Sequence, residues 1–318
     1  MKTKLYILIL LICASTMSYA QQNAQFNQYI FNELVINPAY AGTKELWNVN
    51  GIYSSQWNGM SGAPTTQTIS LDGMTSNKVG IGVHIINDNI GAQSQQGIFG
   101  SYAYKIKLNE NMKLSLGLAA GASYFTIDGS KLVSENPDDP AIPKTLVTKL
   151  KFDSKAGAFL YSNKFYAGFS VSDLLSDAFK SNEVLTPNQT RHYYLTSGYV
   201  FNLSENFKFK PSFLLKEDFK APTNIDLNAF FLYRSRFWLG LSYRTGARMF
   251  TSKSLDNTLK YKDAITIMAE ININDSFRVG YAYTYTLGVF KEYPGHEVSI
   301  GYYFPEKIPT SIKNVRYF

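Results

Sequence analysis

The chain of 318 residues has one cysteine, Cys13, and three histidines, His84, His192 and His296. Cys13 falls inside the first twenty residues, where Lys2 and Lys4 precede an apolar run from Leu5 to Ala14 and Ser18-Tyr19-Ala20 precedes Gln21. That order reads as a secretory leader, residues 1–20, cleaved after Ala20. Ile12 is bulky where a lipoprotein signal needs a small residue, which speaks against an anchor on Cys13. Once cleaved, the chain has no thiol, so disulfides and thiolate chemistry are excluded. Charge is also scarce, at 17% of residues, and no later stretch approaches the ~18 consecutive apolar residues of a membrane helix. Without Lys2 and Lys4, 29 basic residues face 24 acidic ones, and no dense Lys/Arg run occurs. An exported, mildly basic chain of this kind suits an anionic lipid surface and not nucleic acid.

What is abundant is aromatic residues, 15% of the chain, and strict alternation. Ile265, Ile267, Ala269, Ile271 and Ile273 alternate with Thr266, Met268, Glu270 and Asn272. After Asn274-Asp275, Phe277, Val279, Tyr281, Tyr283, Tyr285 and Leu287 alternate with Arg278, Gly280, Ala282, Thr284 and Thr286. Period two with a two-residue polar joint is a β-hairpin. The pattern recurs, and it predicts fourteen strands near 45–57, 64–73, 77–87, 95–108, 111–127, 153–161, 164–171, 189–203, 205–217, 222–233, 236–246, 262–273, 276–287 and 296–304. The second face is small, with Gly117, Ala119 and Gly121 opposite Leu116, Leu118 and Ala120, for example. Gly, Ser and Ala there suit a crowded lumen better than bulk water.

Connections between the predicted strands alternate, nearly every odd one long (88–94 and 128–152 among them) and every even one tight. Short turns at one end and longer loops at the other mark an outer-membrane barrel, and a Greek-key sandwich has no reason to produce them. The fold expected is therefore an all-β antiparallel transmembrane barrel of about fourteen strands, residues 45–304, with periplasmic termini. Residues 305–318 follow as a periplasmic tail, where Pro305 and Pro309 prevent further pairing. Trp47, Tyr53, Trp57, Tyr104, Tyr161, Tyr193, Tyr233 and Tyr302 lie near strand ends, as girdle aromatics would.

No catalytic, cofactor or metal site is expected. The histidines have no partner brought near by sequence, Asp88 and Asp138-Asp139 lack the spacing of a calcium loop, and Gly80-Ile81-Gly82 sits in a strand with no helix after it. Residues 21–44 are different. They lack alternation, Pro38 has no donor for a ladder, yet Phe26, Tyr29, Phe31, Leu34, Ile36 and Tyr40 need something to bury against. Such a segment either folds into the barrel mouth as a plug or docks a periplasmic partner, unless it is a spacer. The residues expected to carry that role are Phe26, Tyr29, Phe31, Asn37, Pro38, Tyr40 and Gly42.

The run Gln25-Phe26-Asn27-Gln28-Tyr29-Ile30-Phe31-Asn32, then Asn37-Pro38-Ala39-Tyr40-Ala41-Gly42, resembles the opening of the PorP/SprF family of Bacteroidetes outer-membrane proteins, and Arg316-Tyr317-Phe318 resembles its ending. That resemblance implies a non-enzymatic part of the type IX secretion and gliding machinery. Its partners would be cargo or adhesins with a C-terminal sorting domain, exported or held at the cell surface, and periplasmic ring components. The alternative is a channel for small solutes, although fourteen strands enclose less room than the 16 to 18 of porins. An enzyme barrel is the third possibility.

Overall fold

The computed structural model describes residues 27–132, 143–176, 190–247, 249–250 and 264–304. Its strands are β1 (Asn48–Ser55), β2 (Thr65–Ser76), β3 (Val79–Ile90), β4 (Gln93–Lys107), β5 (Lys113–Asp128), β6 (Leu146–Tyr161), β7 (Phe165–Ser172) and β8 (His192–Tyr199, resumed as Phe201–Asn202). They continue as β9 (Phe207–Glu217), β10 (Thr223–Tyr233), β11 (Phe237–Ala247), β12 (Ala264–Asn272), β13 (Phe277–Thr286) and β14 (Gly295–Tyr303). Each pairs antiparallel with its neighbours in sequence, and β1 pairs with β14, Asn48 opposite Tyr303 and Ser55 opposite His296. The sheet therefore closes into a fourteen-stranded barrel with no free edge, the only way strands can satisfy their backbone in lipid.

Closure turns the alternation into two surfaces. Ile69, Leu118, Phe152, Leu239 and Ile267, each more than half exposed, stand on the outside. Ser70, Ala119, Asp153, Trp238 and Met268, one residue away along the chain, are buried inside. A soluble protein does not leave a continuous apolar belt in water, whereas an outer-membrane wall requires one. Inward Thr66, Thr68, Ser70 and Asp72 resolve β2, where threonines blur the pattern in sequence.

Two expectations need correction. The connection expected at 88–94 shrinks to Gly91-Ala92, because β3 continues to Ile90 and β4 starts at Gln93; β6 likewise begins at Leu146 and not near 153. Asp88-Asn89 and Gln93-Ser94 read as loop because, with Asn87 and Gln95 beside them, they are polar on both faces. The strands here are 12 to 16 residues long, more than the ~9 to 11 that cross a bilayer, so their ends extend past the lipid, where polarity on both faces costs nothing. Second, Tyr161 is not a girdle residue. It points inward, almost fully buried, with its ring 5.8 Å from that of Phe159. The expected outer segment Ser134 to Pro140, the leader, Phe26 and the tail lie outside the described residues.

Candidate functional site

Residues 29–44 lie inside the barrel. Three 3-10 turns, Asn27–Phe31, Glu33–Val35 and Pro38–Tyr40, wind the chain through the lumen from Tyr29 near the long-loop end to Gly42 near the short turns. Consecutive bulky residues without a period fit no strand, but in a winding segment they can reach every wall. Tyr29, Ile30, Phe31, Leu34, Ala39, Tyr40 and Ala41 are all nearly inaccessible and join one apolar cluster with inward Phe159, Tyr166, Leu214, Phe230, Trp238 and Met268. Phe31 meets Phe230 edge-on at 5.8 Å, and Tyr40 meets Phe159 at 5.4 Å.

Short turns leave backbone carbonyls without helical partners, and inward side chains of the wall take them up. Asn50 donates to the Phe31 carbonyl (3.3 Å), Lys155 to Val35 (3.1 Å) and Ser170 to Ile36 (2.8 Å). Side-chain groups are bound too: Ser70 donates to the Asn32 amide oxygen (3.0 Å) and Asn228 to the Tyr29 hydroxyl (3.0 Å).

The stretch Asn37 to Gly42 explains itself residue by residue. Asn37 caps the turn that follows by accepting the Ala39 N–H at 3.0 Å, while its amide donates to the carbonyls of Ala158 on β6 (3.1 Å) and Phe169 on β7 (3.4 Å). Pro38 opens that turn, where no N–H is needed. Ala39 lies on Gly117, the Ala41 carbonyl on Gly80 and the Asn37 side chain on Gly157, so closely that a methyl group on any of these wall glycines would overlap it. Gly42 adopts φ +66°, donates its N–H to Asp72 (2.8 Å) and gives its carbonyl to Lys105. A side chain at Gly42 would meet the Gly73 carbonyl, so both conformation and space require glycine there.

The opposite wall carries charge. Arg244 grips Asp226 with two hydrogen bonds, Nε to Oδ1 at 2.7 Å and Nη2 to Oδ2 at 3.1 Å, and Lys216 stands 3.4 Å from the same carboxylate. Arg278 and Glu270 face each other at 3.8 Å, with Tyr303 hydrogen-bonded to Arg278. Sequence reasoning did not single out Asp72, Lys105, Asp226 or Arg244; inward parity on their strands is the signal that could have found them.

Of the expected site residues, the structure buries Tyr29, Phe31, Asn37, Pro38, Tyr40 and Gly42 together against the wall of their own chain, and Phe26 precedes the described residues. The histidines are dispersed. His84 is in the lumen, His192 faces Asp173 at the long-loop end (3.2 Å), and His296 stands on the outer side, bonded to the Tyr281 hydroxyl at 2.7 Å. Ser172 donates to Asp173 and not to the imidazole, so these three do not form a nucleophile and base. Among the described residues no group of three His, Asp or Glu could hold a metal ion.

A closed antiparallel barrel with an apolar belt outside and its own N-terminal segment within is an outer-membrane protein. The family described as type IX secretion system membrane protein PorP/SprF matches residues 18–302, and the chain belongs to that family. No curated protein matches the sequence. Among solved structures, a Pseudomonas aeruginosa FadL homologue is similar at 9% identity and TM-score 0.48, over 91% of this chain and 96% of that one. The CymD monoaromatic hydrocarbon channel is similar at 13% identity and TM-score 0.48, over 89% and 95%. The KdgM porin follows at 8% identity and TM-score 0.38, over 81% and 99%.

Proposed function

We propose that this protein is a non-enzymatic component of the type IX machinery that supports export or surface attachment of a partner protein with a C-terminal sorting domain, and that residues 21–44 act as its plug. Family membership supports the secretion role. The observation that carries the plug is the N-terminal segment itself, which packs its aromatic side chains against both halves of the wall and has its carbonyls bonded to wall side chains. A solute channel would need that space open, so the channel reading is the weaker one. On this proposal the long-loop end faces the exterior, where the partner is met, and the short-turn end faces the periplasm and its ring components.

Deleting Gln25 to Tyr40 while keeping the leader tests the role. We expect a barrel that still migrates differently before and after boiling, reaches the outer membrane, and no longer delivers its partner to the surface. Normal display would reduce the segment to a spacer, and loss of the barrel would make it a folding element.

A further inference from the structure

Above the N-terminal segment, at the long-loop end, the barrel encloses a cavity of about 110 Å³. Tyr29, Val35 and Ile36 of that segment line it from below, and Ile86, Phe99 and Leu214 give it apolar sides. Its rim is charged, and the charged groups are already engaged. Lys155 gives hydrogens to the Val35 carbonyl at 3.1 Å and to His84 Nε2 at 3.4 Å and lies 4.4 Å from the Phe99 ring centre. Asp173 accepts the Ser172 hydroxyl at 2.8 Å and faces His192 at 3.2 Å. Lys216 stands by Asp226, and Glu217 accepts the Phe219 N–H at 2.6 Å and the Thr223 hydroxyl. A cation would have to break one of the carboxylate arrangements and leave a buried charge alone, and an anion would meet Asp173 and Glu217 on the same rim. The interior therefore suits a neutral, apolar group.

A polar atom in the lining is unmatched. His84 is 1% exposed and stacks on Phe99 with ring centres 5.1 Å apart. The Lys155 ammonium lies 3.4 Å from its Nε2 and has only hydrogens to give, so Nε2 is the acceptor and Nδ1 carries the ring proton. That Nδ1–H, buried, has no hydrogen-bond partner. A buried donor left unpaired is costly, and a carbonyl oxygen entering the cavity would relieve it.

We infer that this cavity receives an apolar side chain of the exported partner, presented from the cell exterior on an extended stretch of polypeptide, with a backbone carbonyl of that stretch accepting the His84 Nδ1–H. The inference rests on the secretion role proposed above and names the part of the partner that is held. Its occupant would sit directly on Val35 and Ile36, so partner and plug share one contact surface.

The test uses the full chain in cells exporting their own partner. Photoreactive benzoylphenylalanine is placed at Ile86 in one strain and at Met60, in the outer connection between β1 and β2, in another, and adducts are mapped by mass spectrometry. Expected are adducts to a protein carrying a C-terminal sorting domain from both positions, the one from position 86 falling on or beside an apolar residue. In separate strains, His84→Phe keeps a ring on Phe99 but removes the donor, and Ile86→Trp fills the cavity. Each should lower surface-held partner by roughly tenfold while the barrel remains heat-modifiable. Adducts from position 60 but none from 86, or adducts from 86 to this chain itself, would overturn the cavity site and leave the secretion role standing. No adduct to such a protein from either position would overturn both, and undiminished partner in His84→Phe would remove the carbonyl contact.

Discussion

Glycine is put to two different uses in the wall of this lumen. On β3, β5 and β6, Gly80, Gly117 and Gly157 make room for another part of the chain: Ala41, Ala39 and Asn37 of the N-terminal segment occupy the space their side chains would take. On β11 and β14, Gly240 and Gly301 make room for the wall itself, receiving the Phe230 ring and the Arg278 side chain. One half is a seat for the segment, and the other half is packed by its own large and charged residues. The comparison teaches that a run of small inward residues does not by itself say what fills the space, since close packing demands an occupant in both cases.

The charged half should be the more sensitive to a single change. Arg244→Met leaves Asp226 buried with only Lys216 beside it, and removing one partner of a buried pair costs about 3 to 5 kcal/mol. Lys216 should keep the loss near the lower end, read as an earlier urea midpoint for the heat-modifiable form. Unchanged resistance would mean that Lys216 compensates fully.

Facing can be tested beside a seat residue. Leu116, next to Gly117, points at lipid, and Leu116→Arg puts a cation on the belt at a cost of about 2 to 4 kcal/mol near the midplane. Reduced assembly in the outer membrane is expected, and normal assembly would move that face away from lipid.

The seat itself gives the sharpest contrast. Gly117→Leu overlaps Pro38 and Ala39, and overpacking of ~1 to 3 kcal/mol should be relieved by expelling the segment while the barrel stays intact. Gly240→Leu overlaps Phe230 and should weaken the barrel instead. Val35→Cys, combined with Cys13→Ser so that it is the one thiol, reports the difference. Its maleimide labelling should rise roughly tenfold in the Gly117 variant and stay at background in the Gly240 variant. Equal labelling in both would erase the distinction between seat and wall.

The smallest effect belongs to Asn37→Ala, which loses the cap and two bonds to β6 and β7 carbonyls. About 1 kcal/mol is expected, seen as a few-fold faster labelling of Val35→Cys with no change in heat-modifiability.

The fourteen strands were legible because a barrel wall has water or protein on one side and lipid on the other, so each residue carries the mark of its face; Leu116, Gly117 and Leu118 show it in three letters. Strand ends were less legible. Beyond the lipid both faces are polar, and Asp88 and Asn89 look like a loop although they pair with Gln95 and Ser94. Tyr161 misled for a related reason, because an aromatic near a strand end suits a girdle or a lumen equally well, and only parity against Phe159 separates them.

The segment Tyr29 to Gly42 divides in the same way. Its aromatics and Asn37-Pro38 spoke against a strand and against a disordered leader, since so much apolar surface must be buried somewhere, but they left a spacer open. Where it is buried depends on residues far along the chain: Gly80, Gly117 and Gly157, and the Ala158 and Phe169 carbonyls that hold Asn37. Alternation is local and survives in the sequence of a single strand, so the sequence alone determined the wall and its two faces. The seat exists only after closure has brought β3, β5, β6 and β7 around one space, and that is why the tertiary structure alone decided what fills the lumen.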